Sequence, residues 1–205
     1  MIKSKPLRIL LFVCLALFGV GAILVPNLLQ RRNADHGFDK LADGRCAGEL
    51  RWSADDLPIV LVTDPTISPA WEAATIHAMR TLNQELGLEV FRHRVGEVGG
   101  GGTAIIARRE IWIDTTNTST HGLTAIDVGL VSCRFKQGEI SLPGLLRGGE
   151  YMEAAARHEL GHALGLAHDM IEGSVMWPKV QQWSRSSKLT EKDVKLLRGA
   201  WSKDH

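Results

Sequence analysis

Apolar positions along the chain form three kinds of run, and their spacing predicts the elements. The first kind is continuous: "ILLFVCLALFGVGAILV", from Ile9 to Val25, contains no charged residue. Coiled as a helix it would reach about 26 Å. Leu28 and Leu29 bring it near the ~30 Å of a bilayer core. The second kind is short, β-branched or alternating, and predicts strands at 57–63 ("LPIVLVT"), 88–93, 103–115, 127–135 and 138–143. "KQG", between the last two, reads as a hairpin turn.

The third kind recurs every three or four positions, as one face of a helix does. After Ser68 as N-cap and Pro69 at the first helical position, Trp71, Ala78, Met79, Leu82 and Leu86 share a face, and Gly87 ends it. "EYMEAAARHELGHALG" (150–165) predicts a second helix closed by Gly165. "LTEKDVKLLRGAW" predicts a third, with Thr190 and Asp193 in a capping-box pattern ahead of Val194, Leu197 and Trp201. A mixed sheet with three helices, an α+β fold, follows. There is no internal repeat.

Charge placement divides the chain into parts. Lys3, Lys5 and Arg8 precede the apolar run, so residues 1–29 read as a signal anchor or a signal peptide that leaves the N-terminus in the cytoplasm and exports the rest. The exported part is expected in the periplasm or outside the cell, held at the membrane, or secreted if the segment is cleaved. Residues 30–45 are polar and aperiodic, a tether. Residues 46–205 are long enough for one core. With 205 residues, a net charge of +1, 44% hydrophobic and 23% charged residues, the composition is globular and excludes both a disordered chain and a nucleic-acid footprint. The expected state is a monomeric domain. Cys14 lies in the apolar run, leaving Cys46 and Cys133 as a disulfide or as two separate thiols.

One stretch carries chemistry: "HELGHALGLAHD", residues 158–169. Helix positions four apart lie one above the other, so His158 and His162 aim two imidazoles at one point. Glu159 is rotated from the first by about 100°, within reach of a metal-bound water yet outside the coordination shell. A straight helix could not bring a third ligand to the same centre. Gly165, able to take a left-handed backbone, turns the chain so that His168 returns to it. Three imidazoles with a fourth position open make a catalytic zinc site, whereas a structural site is closed by four protein ligands. His77 lies off its helix's apolar face, and His93 and His121 have no partner at ligand spacing.

His-Glu-x-x-His-x-x-Gly-x-x-His resembles the signature of the metzincin zinc endopeptidases, which carry a methionine turn beneath the metal. "GSVMWP" resembles that turn, with Met176 eight residues after His168, and its form looks most like the matrixins. The terminal "LTEKDVKLLRGAW" is similar to the last helix of a matrixin catalytic domain. The resemblance is strong over 150–201 and extends weakly to about residue 52. Asp169 is more like the adamalysins, and Pro178 stands where astacins and serralysins have a metal-binding tyrosine.

The resemblance implies a twisted mixed five-stranded sheet with three helices, the active-site helix followed by the methionine turn. It implies one zinc ion on His158, His162 and His168, with Gly165, Met176 and Asp169 supporting, and Glu159 as general base for a zinc-activated water that hydrolyses peptide bonds. A structural zinc or calcium ion is not expected. The substrate is a protein or peptide, which would pair antiparallel with an exposed edge strand; 127–135 is the best candidate. Trp177, Pro178 and Val180 would wall its pocket. "GRCAGEL" echoes the matrixin latency motif faintly, so Cys46 is open to a zinc-capping role as well as a disulfide. The rival reading is a catalytically silent metzincin-fold module that keeps zinc and acts in binding or assembly at the membrane.

Overall fold

In the computed structural model, residues 29–33, 51–96, 110–117, 121–129, 133–144, 148–179 and 187–202 are described. Residues 1–28, with most of the expected membrane span, lie outside these, as do Cys46, residues 103–109 and Val180. No helix among the described residues is long and apolar enough to cross a membrane.

Six strands are present: β1 (Leu29–Asn33), β2 (Ile59–Thr63), β3 (Phe91–Val95), β4 (Glu110–Asn117), β5 (Leu123–Gly129) and β6 (Arg134–Pro143). They form one sheet in the order β1-β5-β6-β4-β2-β3. β2 runs parallel to β3 and β4, and β4 parallel to β6; β5 is antiparallel to β6. The strands expected at 57–63 and 88–93 and the 110–115 part of 103–115 coincide with β2, β3 and β4, whereas those expected at 127–135 and 138–143 are redrawn as β5, which ends at Gly129, and one long β6, and β1 adds a sixth strand. Leu29, expected at the end of the apolar span, and Gln30–Asn33, expected in the tether, pair antiparallel with β5 from Leu29↔Gly129 to Asn33↔Ala125. β5, which stands in place of the edge strand expected at 127–135, is thus not a free edge: its outer side already carries β1.

The hairpin also differs from expectation. β6 runs unbroken through "KQG", and the chain turns between Gly129 and Arg134 instead, at Cys133 with φ 51°. Gly138 serves close packing: a Cβ there would lie 2.4 Å from Ile126 Cδ1 and 3.0 Å from the Ala125 carbonyl oxygen. A bulge where Asp127 pairs with Gln137 and Val128 with Phe135 leaves Lys136 unmatched. It shifts the burial from odd (Phe135) to even (Ile140, Leu142) positions, which breaks the alternation a reader relies on.

Helix α1 (Pro69–Leu86) begins at Ser68, whose side chain accepts from the Trp71 N–H, and ends at Gly87 in the left-handed conformation, φ 63°. Its Asn83 holds β3: the amide donates to the Phe91 carbonyl, and its oxygen accepts from the Val90 and Phe91 N–H groups. α2 (Gly149–Ala163) is buried from Met152 to its end and packs on α1, β5 and β6. Alanines at 154–156 and 163 let its neighbours approach on several sides. α3 (Glu191–Ser202) opens with the expected reciprocal cap, Thr190 N–H to Asp193 Oδ2 at 3.0 Å and Asp193 N–H to Thr190 Oγ1 at 3.2 Å, and buries Leu197 and Trp201.

Two long-range contacts fix α2 in place. Trp52 donates from Nε1 to the Ala163 carbonyl at 2.8 Å, satisfying an acceptor that the helix end leaves open, and packs edge-on against Phe135. Arg157, 1% exposed, donates from Nη2 to Glu85 Oε1 at 2.8 Å, and Glu85 Oε2 accepts from the Leu189 N–H at 3.2 Å. One carboxylate thereby ties α2, α1 and the approach to α3. Removing one partner of a buried pair costs about 3 kcal/mol or more, because the other charge keeps its desolvation penalty. Glu85→Ala is expected to lose that much in urea unfolding; a loss below about 1 kcal/mol would show that the pair is dispensable.

Candidate metal centre

α2 carries His158 and His162 one turn apart, both buried. The helix then stops in a glycine-closed turn: the Gly165 N–H reaches the His162 carbonyl at 2.8 Å, the Leu166 N–H reaches the Gly161 carbonyl at 3.1 Å, and Gly165 has φ 98°. This is the Schellman pattern, and an L side chain at that φ would be strained. The reversal brings back His168, which stays exposed. His168 Nε2 lies 3.1 Å from His158 Nε2 and 3.1 Å from His162 Nε2.

The other ring nitrogens settle the protonation. His158 Nδ1 is 2.7 Å from the Val175 carbonyl and His162 Nδ1 is 2.8 Å from the Leu166 carbonyl. A carbonyl only accepts, so both Nδ1 atoms carry the proton and both Nε2 atoms present lone pairs. His168 Nε2 carries at most one proton, so it cannot donate a full hydrogen bond to both at once. A cation among the three resolves the conflict. The three histidines have ligand atoms within 4.8 Å of one another and could hold a metal ion. Tetrahedral zinc, with bonds of about 2.0–2.1 Å, holds its nitrogens about 3.3 Å apart, so the donor set fits. Burial pushes His162 down to about 4 and His158 well below 6.5, with neighbouring imidazoles adding to both. These two ligands stay neutral, as metal binding needs.

The stretch read from the sequence as a methionine turn packs against α2. Met176 is fully buried, and a Cβ on Gly161 would lie 2.4 Å from its Sδ, so the glycine inside the His-Glu-Leu-Gly-His run makes room for the sulfur. Asp169 holds the turn together. Its Oδ2 accepts from Ser174 Oγ at 2.8 Å, its N–H donates to the Met176 carbonyl at 3.1 Å, and Ser174 Oγ accepts from the Met176 N–H at 3.0 Å. Because Val175 lies inside this turn, Asp169 indirectly places the carbonyl that orients His158. Trp177 and Pro178 follow, half-buried.

Glu159 is 3% exposed, and its carboxylate turns toward β5, where the Thr124 hydroxyl donates to Oε2 at 2.6 Å. Thr124, Gly161, Ser174 and the carbonyls of Val175 and Leu166 were not singled out from the sequence. Gly161 and Ser174 lie within motifs that had been read, whereas Thr124 stands 35 residues from its partner. Cys133 is disulfide-bonded, with its partner outside the described residues.

The sequence profile of the matrixin family, Peptidase_M10, matches residues 70–201. Metalloendoproteinase 2-MMP of Arabidopsis thaliana is 44% identical over 43 residues, 21% of this chain and 11% of that protein. Matrilysin of Mus musculus is 40% identical over 50 residues, 24% of this chain and 19% of that protein. The chain thus matches between a tenth and a fifth of the length of these curated relatives. The crystal structure of archaemetzincin from Methanopyrus kandleri superposes with a TM-score of 0.46 at 12% identity, over 78% of this chain and 98% of that one. With the family profile matching well over half of its residues, the chain belongs to the matrixin family.

Proposed function

We propose that the chain is a zinc-dependent metalloendopeptidase, with His158, His162 and His168 holding one zinc ion and Glu159 acting as general base. The observation that carries it is the meeting of three imidazole Nε2 atoms, two of them bared by backbone acceptors at Nδ1, one residue from a buried carboxylate. Bound there, zinc supplies Lewis-acid polarisation of the scissile carbonyl and makes water acidic enough to attack. The chain's own part is proton handling: Glu159 takes a proton from the attacking water and passes it to the departing amine. A silent zinc-binding module would have no use for that carboxylate.

The family points to a peptide substrate, and β5 suggests how it lies. β1 shows that the outer edge of β5 accepts an antiparallel strand, in a register ending one residue short of Thr124, which contacts Glu159. In this reading an extended peptide displaces β1 and takes the same lane. Trp177 and Pro178 wall the pocket for the side chain after the cut; Val180, expected beside them from the sequence, lies outside the described residues. The catalytic domain works outside the cytoplasm, held by the apolar N-terminal segment.

Three outcomes test the proposal. With the full chain in mild detergent and a fluorogenic peptide pool, Glu159→Ala should keep one zinc per chain yet lose about a hundredfold or more in kcat, and His162→Ala should lose the zinc. Cleavage by Glu159→Ala at the wild-type rate would remove the base. A chain lacking residues 1–33 should show a lower KM at unchanged kcat; an equal KM would put the substrate elsewhere than on β5. The third outcome concerns pH. Unfolded histidines titrate near 6.5, while His162 is held at about 4 and His158 well below 6.5. Between those values the unfolded chain binds more protons, so the zinc-free fold should lose stability as pH falls from about 6.5 toward 4. A flat Tm over that range, measured with chelator present, would contradict the buried, neutral histidines.

A further inference from the structure

Glu159 is held by more than its helix. β5 crosses α2 at this residue, and two positions at its start meet the carboxylate. Thr124, fully buried, has Oγ1 2.6 Å from Glu159 Oε2, with the Glu159 carbonyl oxygen also in reach at 3.1 Å. The short distance is that of a hydroxyl donating to a charged carboxylate. Gly122, just before the strand, lies against the other oxygen: a Cβ there would stand 2.3 Å from Oε1 and 2.6 Å from both Cδ and Cγ. The carboxylate is therefore gripped at one oxygen and flanked by an empty side-chain position at the other.

We propose that Thr124 and Gly122 form a cradle that positions the Glu159 carboxylate for proton transfer, Thr124 by its hydroxyl and Gly122 by the space it leaves. The inference rests on the reading of Glu159 as base. Glutamate has three rotatable bonds, and a base works only with its oxygen at hydrogen-bond distance from the proton it takes. A displacement of about 1 Å can cost about a hundredfold in rate. Threonine suits the task because its β-branched side chain is stiff at χ1, so the strand's backbone fixes where the hydroxyl points. Its single hydrogen goes to Oε2, the nearer of the two acceptors in reach, and so fixes that side of the carboxylate. Thr124 is a positioning residue: it touches the base and not the substrate.

The bland alternative is that the hydroxyl merely staples β5 to α2 through the Glu159 carbonyl. That staple would influence stability and leave kcat alone. The test uses the zinc-loaded full chain and one fluorogenic peptide, with kcat and KM measured separately and zinc content and Tm recorded for each variant. Thr124→Val keeps the shape and removes the hydroxyl; kcat should fall about tenfold or more with KM and zinc content unchanged. Thr124→Ser should recover most of that loss. The three atoms nearest an added Cβ at Gly122 all belong to the Glu159 side chain, so Gly122→Ala should displace the carboxylate and lower kcat about tenfold or more, with Tm recorded to confirm that the protein folds.

A second readout needs no activity. In the zinc-free protein, the Tm change caused by Thr124→Val should differ by about 2 °C or more between the wild-type and Glu159→Ala backgrounds, because the bond can be broken only once. Thr124→Val within twofold of wild-type kcat, or strictly additive Tm changes, would overturn the cradle. Glu159→Gln at full rate would overturn the base reading itself. An inactive Glu159→Gln beside a fully active Thr124→Val would overturn the cradle alone.

Discussion

Three imidazole nitrogens, those of His158 and His162 each held 3.1 Å from that of His168, are the constraint on which the rest of the site depends. Left to themselves, imidazoles that close would rotate, protonate or separate. Here the rotation is blocked by two backbone carbonyls, those of Val175 and Leu166, which fix the rings through Nδ1. Protonation is opposed by burial, which holds His162 at about 4. Separation is opposed by the chain itself, since Gly165 reverses direction within a single residue and returns His168 to the helix it has just left. The metal that relieves the crowding does not create the arrangement; the folded backbone has already made it.

That arrangement requires α2 to stay where it is, and α2 has little intrinsic reason to do so. Its exposed surface is confined to its first turn, and it carries Arg157, Glu153, Glu159 and two histidines into the interior. Its buried polar groups are tied to three other parts of the fold: Arg157 and Glu153 to Glu85 and His77 on α1, Glu159 to Thr124 on β5, and His158 to the methionine turn. Trp52 adds a donor at the helix's last carbonyls. These bonds have direction, so they set the helix's rotation about its own axis. Apolar packing by alanines alone would leave that rotation loose, and the two histidines would have no fixed point to aim at.

What could be read in the sequence was what lies within one turn or one helical face. The ligand spacing, the glycine stop at 165, the Ser68 and Thr190–Asp193 caps and the buried faces of α1 and α3 are all local, and the structure contains each of them. Contacts between distant segments were not legible. Gly138 was read as a turn because glycine's freedom is visible in a sequence, while the Ile126 side chain it must accommodate is twelve residues away. The bulge at Lys136 hid the continuity of β6 by inverting its burial pattern. Residues 30–33 carry no alternating pattern, so their pairing with β5 had no signature. Thr124 looked like any strand threonine.

The two halves of the proposed chemistry therefore rest on different kinds of structure. The zinc ligands and the turn beneath them come from residues 158–176, whose geometry is set by a helix, a glycine reversal and a few short-range bonds. The base comes from the same helix, but its carboxylate is oriented by a strand that reaches it only once the sheet has formed. Local order is enough to gather three histidines, whereas orienting Glu159 needs the whole domain. Zinc binding reports that α2 and its reversal are formed. On the proposed chemistry, the turnover rate would report in addition how β5 lies across α2. A packing change at the sheet should therefore be felt in kcat before it is felt in zinc content, and it is on β5 that variation between related chains would tune rate while leaving the metal motif untouched.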